Sequence, residues 1–359
     1  MSEFSGARTH WPRIFAGLAL GLASGALFAW AGTPIPWMMG PLVGMGIAQL
    51  CGAKLHLFPY GRQAGQWVIG TSVGLYFMPT ALVALLSNLG WIFLGAVLTL
   101  IMAGIGGLLL SRMSGIDKTS CYFATVPGGA AEMSVLAMRY GGNVPAVAIT
   151  QSMRIALLVL IVPPALTLAG FAGIDRAAAQ LLPPFVADKF FILISITLIV
   201  AAVCAKLRIQ NAWMMGPLIC SAALTASGLT LSRVPVELVD WAQVMLGLAL
   251  GSRFERDFFA RYRMFIPYAI FNALFLMAAC GACAWAIAWG SGSIALGDSL
   301  LGLAPGGIGE MAITAKGLEL GVAVVTAFQF VRISAANFTP PFLFPLARQW
   351  RERWLARRG

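Results

Sequence analysis

Two arginines stand where arginine is expensive. Arg154 and Arg332 each lie about ten residues into a long apolar run, roughly 15 Å deep at 1.5 Å rise per residue. An unpartnered guanidinium at that depth costs at least about 2.5–3.5 kcal/mol. Each therefore needs a partner, and the repeated acids nearest in sequence, Glu132 and Glu310, are the expected ones. Gln151 and Gln329 precede the arginines by three residues, on the same helical face, as further donors. A planar guanidinium fork suits a carboxylate or a phosphate. The plainer reading makes each arginine a structural salt bridge and each glutamine a helix–helix hydrogen bond.

Each glutamate follows a Pro-Gly-Gly. Residues 126–133 read VPGGAAEM and residues 304–311 read APGGIGEM. Proline removes a backbone donor and clashes with the preceding turn. Glycine adopts conformations closed to other residues. Together they break the segment and start a new half-helix, whose free N–H groups and positive dipole end suit an anion. The candidate substrate-binding residues are therefore Gly128, Gly129, Gln151 and Arg154, with Gly306, Gly307, Gln329 and Arg332. Glu132 and Glu310 are the candidate coupling-ion or proton carriers, or plain caps of their own helices.

The elements that must position these residues follow from composition. The chain has 359 residues, 59% hydrophobic and 10% charged, with a mean hydropathy of +0.84. A soluble domain carries about 25% charged residues, so the solvent for much of this surface is lipid. Apolar runs occupy 14–31, 82–110, 144–168, 190–205, 264–289 and 322–346. Each is long enough, or nearly so, to cross roughly 30 Å of hydrocarbon. The first run reads as an anchor, since further spans follow it. The six cysteines lie in or beside apolar segments. The Cys280–Cys283 CxxC reads as small residues at a helix contact.

The chain is duplicated. WMMGPL occurs at 37–42 and at 213–218, an offset of 176. Gln66, Gly70, Gly74 and Phe77 match Gln243, Gly247, Gly251 and Phe254 at 177, and the PGGxxEM and QxxR blocks recur at 178. Ordered matches at near-constant offset identify two homologous units. The bland reading of WMMGPL is a kinked helix packed on neighbours, and that of the 62–78 glycines is a helix seam. The positive-inside rule then sets orientation. Arg8, Arg13, Lys54, Arg62, Arg112, Lys118, Arg139, Lys206, Arg208, Arg253, Arg256, Arg261, Arg263 and the C-terminal arginines all ask for the cytoplasm. Arg176, Lys189, Arg233 and Lys316 fall outside. These demands agree if each half crosses five times and the PGG segment dips in and returns. The +11 net charge is then a topological skew with no nucleic-acid partner, and the basic tail lies on the anionic leaflet. An odd number of crossings turns the second unit upside down, a signature of secondary transporters.

The expected fold is thus an all-α polytopic membrane protein with N and C termini inside. It has two inverted-topology repeats of about five transmembrane helices, each with one re-entrant PGG hairpin. The expected boundaries are a cytoplasmic N-terminus (1–13), repeat 1 (14–172), an external linker (173–187), repeat 2 (188–346) and a cytoplasmic tail (347–359). The two PGGxxEM…QxxR blocks, each preceded by WMMGPL, resemble the AbrB-type membrane protein family, also known as AbrB duplication proteins. The resemblance covers nearly the whole chain. Members have carried the labels ammonia monooxygenase and regulator, and more recent naming treats them as transporters. A copper monooxygenase needs clustered imidazoles, whereas His10 and His56 both fall outside the hydrocarbon; a DNA-reading regulator needs a soluble module. The resemblance and the inverted repeat imply a bacterial cytoplasmic-membrane transporter, elevator-like in outline and homodimeric. It would move a small organic solute, anionic or zwitterionic, by alternating access coupled to H+ or Na+, with no cofactor and no enzymatic activity. The alternatives are a passive channel, a membrane enzyme, and a membrane component of a regulatory or stress pathway.

Overall fold

The structure is a computed structural model. It describes residues 11–171, 173, 182–229 and 231–356, without the side chains of Ala131 and residues 340–356. Arg8, His10, Arg176, Arg357 and Arg358, most of the expected linker and most of the expected N-terminal segment lie outside the described residues.

Every regular element among the described residues is a helix. In chain order these are α1 (Trp11–Trp30), α2 (Pro36–Leu50), α3 (Gly61–Gly74), α4 (Pro79–Ser87), α5 (Leu89–Ser114), α6 (Lys118–Thr125), α7 (Ala130–Arg139) and α8 (Val144–Leu168). They continue as α9 (Ala187–Lys206), α10 (Ala212–Ala226), α11 (Val236–Gly251), α12 (Arg256–Arg261), α13 (Ile266–Ser291), α14 (Leu296–Leu303), α15 (Ile308–Gly317) and α16 (Val322–Ala356). Six of these, α1, α5, α8, α9, α13 and the first 18 residues of α16, are long and apolar enough to cross a membrane. The chain is a multi-pass helical membrane protein. The run expected at 82–110 is divided: α4 stops at Ser87 and α5 starts at Leu89. Pro79 at the start of α4, after an extended Met78, turns α3 and α4 86° apart. α16 runs on to Ala356, through the segment expected as a separate tail.

The helices pack as two groups. In the first, α1 packs on α2, α2 on α11, α11 on α3, α3 on α10 and α10 on α9. In the second, α13 packs on α5, α8 and α14, α16 packs on α5, α14 and α15, and α8 packs on α6 and α7. Cys280 sits in the core of the second group with Ile92, Ala284 and Phe328.

Glycine spacing explains the first group. Cβ atoms on Gly247 and Gly251 would press on the carbonyls of Met38 and Leu42, at 2.5 and 2.6 Å. A Cβ on Gly70 would press on the carbonyl of Met214 at 2.5 Å, and one on Gly74 on that of Leu218 at 2.5 Å. So the WMMGPL helix of each half lies against the glycine face of the other half. Such close backbone approach is how small residues drive helix association where lipid competes for every apolar contact.

Candidate functional site

Both Pro-Gly-Gly segments break their helices. α6 ends at Thr125 and α7 starts at Ala130; α14 ends at Leu303 and α15 starts at Ile308. A helix that ends inside the protein leaves its last carbonyls without intrahelical donors. The QxxR motif supplies them. Gln151 Nε2 donates to the carbonyls of Phe123 and Val126, both at 2.9 Å. Arg154 Nη1 donates to Thr125 O at 3.1 Å and Val126 O at 3.4 Å, while Nη2 donates to Gln151 Oε1 at 2.7 Å. The second half repeats the clamp. Gln329 Nε2 donates to Leu301, Gly302 and Ala304 at 2.7, 3.1 and 3.0 Å. Arg332 donates to the carbonyls of Ala304 and Gly306 and, at 2.7 Å, to Gln329 Oε1.

This corrects the expected pairing. Arg154 and Arg332 do not fork onto Glu132 and Glu310; they cap the carbonyl ends of α6 and α14. Both are 1% exposed, and neither lines the cavity described below. The physical reason is the helix dipole. The C-terminal end of each short arm carries partial negative charge and free acceptors, so a cation is favoured there. The Nε of each arginine has no hydrogen-bond partner among the described residues.

The glutamates serve the other side of each break. Glu132 and Glu310 lie in the first turn of α7 and α15. A Cβ on Gly129 would run into the Glu132 carboxylate, and one on Gly307 into that of Glu310. Each carboxylate is thus folded back over the glycine that caps its own helix, at the positive end of the dipole. Each break therefore has a cation at its negative end and an anion at its positive end.

The anionic side of each break faces space. A cavity of about 570 Å³ is lined by Gly128, Gly129 and Glu132 from the first break and by Gly306, Gly307 and Glu310 from the second. Its far wall belongs to the other helical group, with Arg62, Gln66, Asn211, Met214, Leu246 and Arg253. Gln66 Nε2 donates to Asn211 Oδ1 at 3.0 Å across that wall. The rim residues Arg62, Ile209, Gln210 and Asn211 are exposed, so the cavity opens there. Asn337 on α16 also lines it, and a Cβ on Gly128 would lie 3.2 Å from Asn337 Oδ1. That oxygen is buried and has no hydrogen-bond partner among the described residues. Arg253 sits in the link between α11 and α12. Burial lowers its pKa and Arg62 acts in the same direction, while Glu310 and Glu132 oppose them.

Of the residues singled out in the sequence, then, Gly128, Gly129, Gly306, Gly307, Glu132 and Glu310 meet at one cavity. Gln151, Arg154, Gln329 and Arg332 stand behind the breaks and hold them open. Sequence reasoning missed Arg62 and Arg253, which it left in cytoplasmic loops, and Asn211 and Asn337. The signal for Arg253 was its place immediately after the repeated Gly247–Gly251 seam.

The profile of the family described as "Transition state regulatory protein AbrB" matches residues 37–348. The chain belongs to the AbrB family. It is 29% identical over 354 residues to "Uncharacterized protein YhjN" of Bacillus subtilis (strain 168), spanning 90% of this chain and 91% of that protein. It is 24% identical over 310 residues to "Putative regulator AbrB" of Escherichia coli (strain K12), spanning 86% of this chain and 88% of that one. The match takes in both breaks, both QxxR clamps and every residue named at the cavity. In this AbrB family member the duplicated motifs serve two tasks, holding a pair of broken helices and lining the space between them.

Proposed function

We propose that the protein is a secondary active transporter of a small organic solute, anionic or zwitterionic, working by alternating access with H+ or Na+ coupling. One observation carries this reading: two helix breaks, one from each half of the sequence, open onto a single cavity at the boundary between two helical groups. The duplicated sequence supports it, since broken helices at matching places in two inverted repeats are a transporter signature. Five of the eight helix pairs match in length, with 20 residues in α1 and α9, 15 in α2 and α10, 26 in α5 and α13, eight in α6 and α14, and ten in α7 and α15. Arg62, Arg253 and, through Gln66–Asn211, the loop that carries Lys206 and Arg208 bring basic residues to the cavity's open end, which the positive-inside rule assigns to the cytoplasm.

The chemistry follows from the field at the breaks. The N-termini of α7 and α15 favour negative charge, and in this state Glu132 and Glu310 occupy that field. A proton or a sodium ion on either carboxylate frees its helix N-terminus for a substrate carboxylate or phosphate. Arg253, Arg62 and Asn337 then offer further donors. The apolar side chains of Ile155, Met214 and Leu246 accommodate the rest of the solute.

A thermal-shift panel on purified protein tests this. Carboxylates, amino acids and phosphonates would be screened at two pH values, with and without sodium. A ligand at 100 times its Kd adds about 2.7 kcal/mol to the folded state. The stabilisation is expected to vanish in Arg253→Ala and to lose its pH or sodium dependence in the paired Glu132→Gln, Glu310→Gln variant. A hit that survives both, or solute flux through reconstituted vesicles with no saturation and no ion coupling, sinks the carrier reading.

A further inference from the structure

The same helices that line the cavity carry a second polar cluster on the side away from its mouth. On α3, Gln66 faces the cavity, and Ser72 lies six residues further on, roughly 9 Å along the axis. On α11, Leu246 faces the cavity, and Gln243 and Asp240 lie three and six residues earlier. On α15, Glu310 faces the cavity, and Lys316 sits in the last turn. Lys316 Nζ donates to Ser72 Oγ at 2.7 Å, and Asp240 is the acid whose charge Lys316 feels. Gln243 Nε2 donates to Asp240 Oδ1 at 3.1 Å, and Gln243 Oε1 is buried without a partner among the described residues. Beside this cluster the end of α15 closes on the segment before α2. A Cβ on Gly317 would meet Ile35 Cγ2 at 2.9 Å and Pro34 O at 3.4 Å.

The duplicated sequence allows the other end to be compared position by position. The counterparts of Pro34 and Ile35, at the offset of 176, are Gln210 and Asn211, which form the exposed rim of the open cavity. The counterpart of Lys316, at 178, is Met138, which is 66% exposed. Those of Ser72 and Asp240, at 177, are Ala249 and Gln63. Gln243 keeps its type, since its counterpart at 177 is Gln66, which bonds Asn211 within a single helical group. So one pair of segments is shut and bonded across the two groups, its counterpart stands apart, and Lys316, Ser72 and Asp240 occur on the shut side alone.

We infer that Lys316, Ser72, Asp240 and Gln243 form a latch across the closed face of the carrier, holding the hairpin α14–α15 against α3 and α11 so that the cavity rests open at its basic end. The inference builds on the transporter reading. Lys316 belongs to the helical group with both breaks, and Ser72, Asp240 and Gln243 belong to the other group, so the bond spans the boundary that must slip during alternating access. When it parts, the α15 end leaves Ile35 and the far face opens. The α7 end then closes on Gln210 and Asn211, with no equivalent bond to retain it. The resting state is therefore biased toward the end where the cavity is open here.

Single cysteines read both faces. One protein carries Ile35→Cys as a probe of the closed face, where Ile35 is buried against Gly317, and another Asn211→Cys, at the matching position, as a probe of the open rim. Each is labelled in right-side-out and inside-out vesicles with a membrane-impermeant maleimide, and labelling at that site is read by peptide mass. Lys316→Met is then added to each, and separately Ser72→Ala, which removes only the hydroxyl and keeps the fold within reach if the first variant is unstable. Labelling at position 35 is expected to rise and at 211 to fall, with the ratio shifting about tenfold, the size of one charge-assisted hydrogen bond. If both probes react from opposite faces in the parent protein and neither variant changes the ratio, the carrier alternates without this latch and the inference fails. If position 35 is never labelled in any variant and 211 always is, the cavity is static; the carrier reading fails and the latch with it.

Discussion

The two hairpins share a skeleton and differ in their surroundings. Behind each break the same Gln–Arg pair holds the carbonyl end of an eight-residue arm, and in front of each the same glutamate folds over a glycine. Beyond the breaks the second arms part ways. α15 is buried along most of its length, and its Ile313 is 3% exposed. The matching residue of α7, Val135, is 54% exposed. Identical local chemistry in unlike packing means that the motif fixes the break, while the conformation of the whole protein decides which arm is covered.

The sharpest way to test the shared part is to remove an arginine. Arg154→Ala and Arg332→Ala are each expected to destabilise the protein by about 3–5 kcal/mol, since one backbone carbonyl (Thr125 or Gly306) and one glutamine Oε1 (Gln151 or Gln329) lose their donor at about 1–3 kcal/mol each. Thermal unfolding in detergent measures this, and a large loss in one half only would break the equivalence of the two clamps. The unlike part is tested next. Ile313→Ala is expected to cost about 2–4 kcal/mol as a buried truncation, and Val135→Ala under about 0.5 kcal/mol as an exposed one. Equal effects would mean that both arms are covered to the same degree.

Smaller effects sharpen the picture. Gly129→Ala and Gly307→Ala should each cost about 1–3 kcal/mol by overpacking against the neighbouring glutamate. Adding Glu132→Ala or Glu310→Ala should restore stability but not ligand stabilisation. Last, Gln329→Leu should exceed Gln151→Leu by about 1 kcal/mol, because Gln329 serves three carbonyls and Gln151 two.

Much of this was legible in the sequence. The long spans were visible because lipid demands unbroken apolar runs; 144–168 was placed to the residue, and the start expected at Ile14 came three residues late. The breaks were visible because proline and paired glycines act locally. The partners of Arg154 and Arg332 were not. Nearness in sequence favoured the two glutamates, yet backbone carbonyls have no letter of their own, so the acceptors at a helix end do not show in a residue list. A fuller accounting of where the broken arms send their last carbonyls would have pointed at the seven side-chain N–H groups that an Arg–Gln pair can donate. Arg253 and Arg62 escaped notice for another reason. A charge rule assigns loops to a side of the membrane and says nothing about which loop residue turns inward.

The crossed glycine seams bear on how the chain is made. Met38 and Leu42 rest on Gly247 and Gly251, which leave the ribosome roughly two hundred residues later, many seconds at usual rates of synthesis. α2 cannot complete its packing until then, although its Gly40 already lies against the Ser24 carbonyl of α1, and α3 waits on α10 in the same way. The amino-terminal half therefore enters the bilayer with both crossed seams vacant. Folding is completed by interlocking, and a chain truncated between the halves is left with two open faces suited to proteolysis or to pairing with a wrong partner.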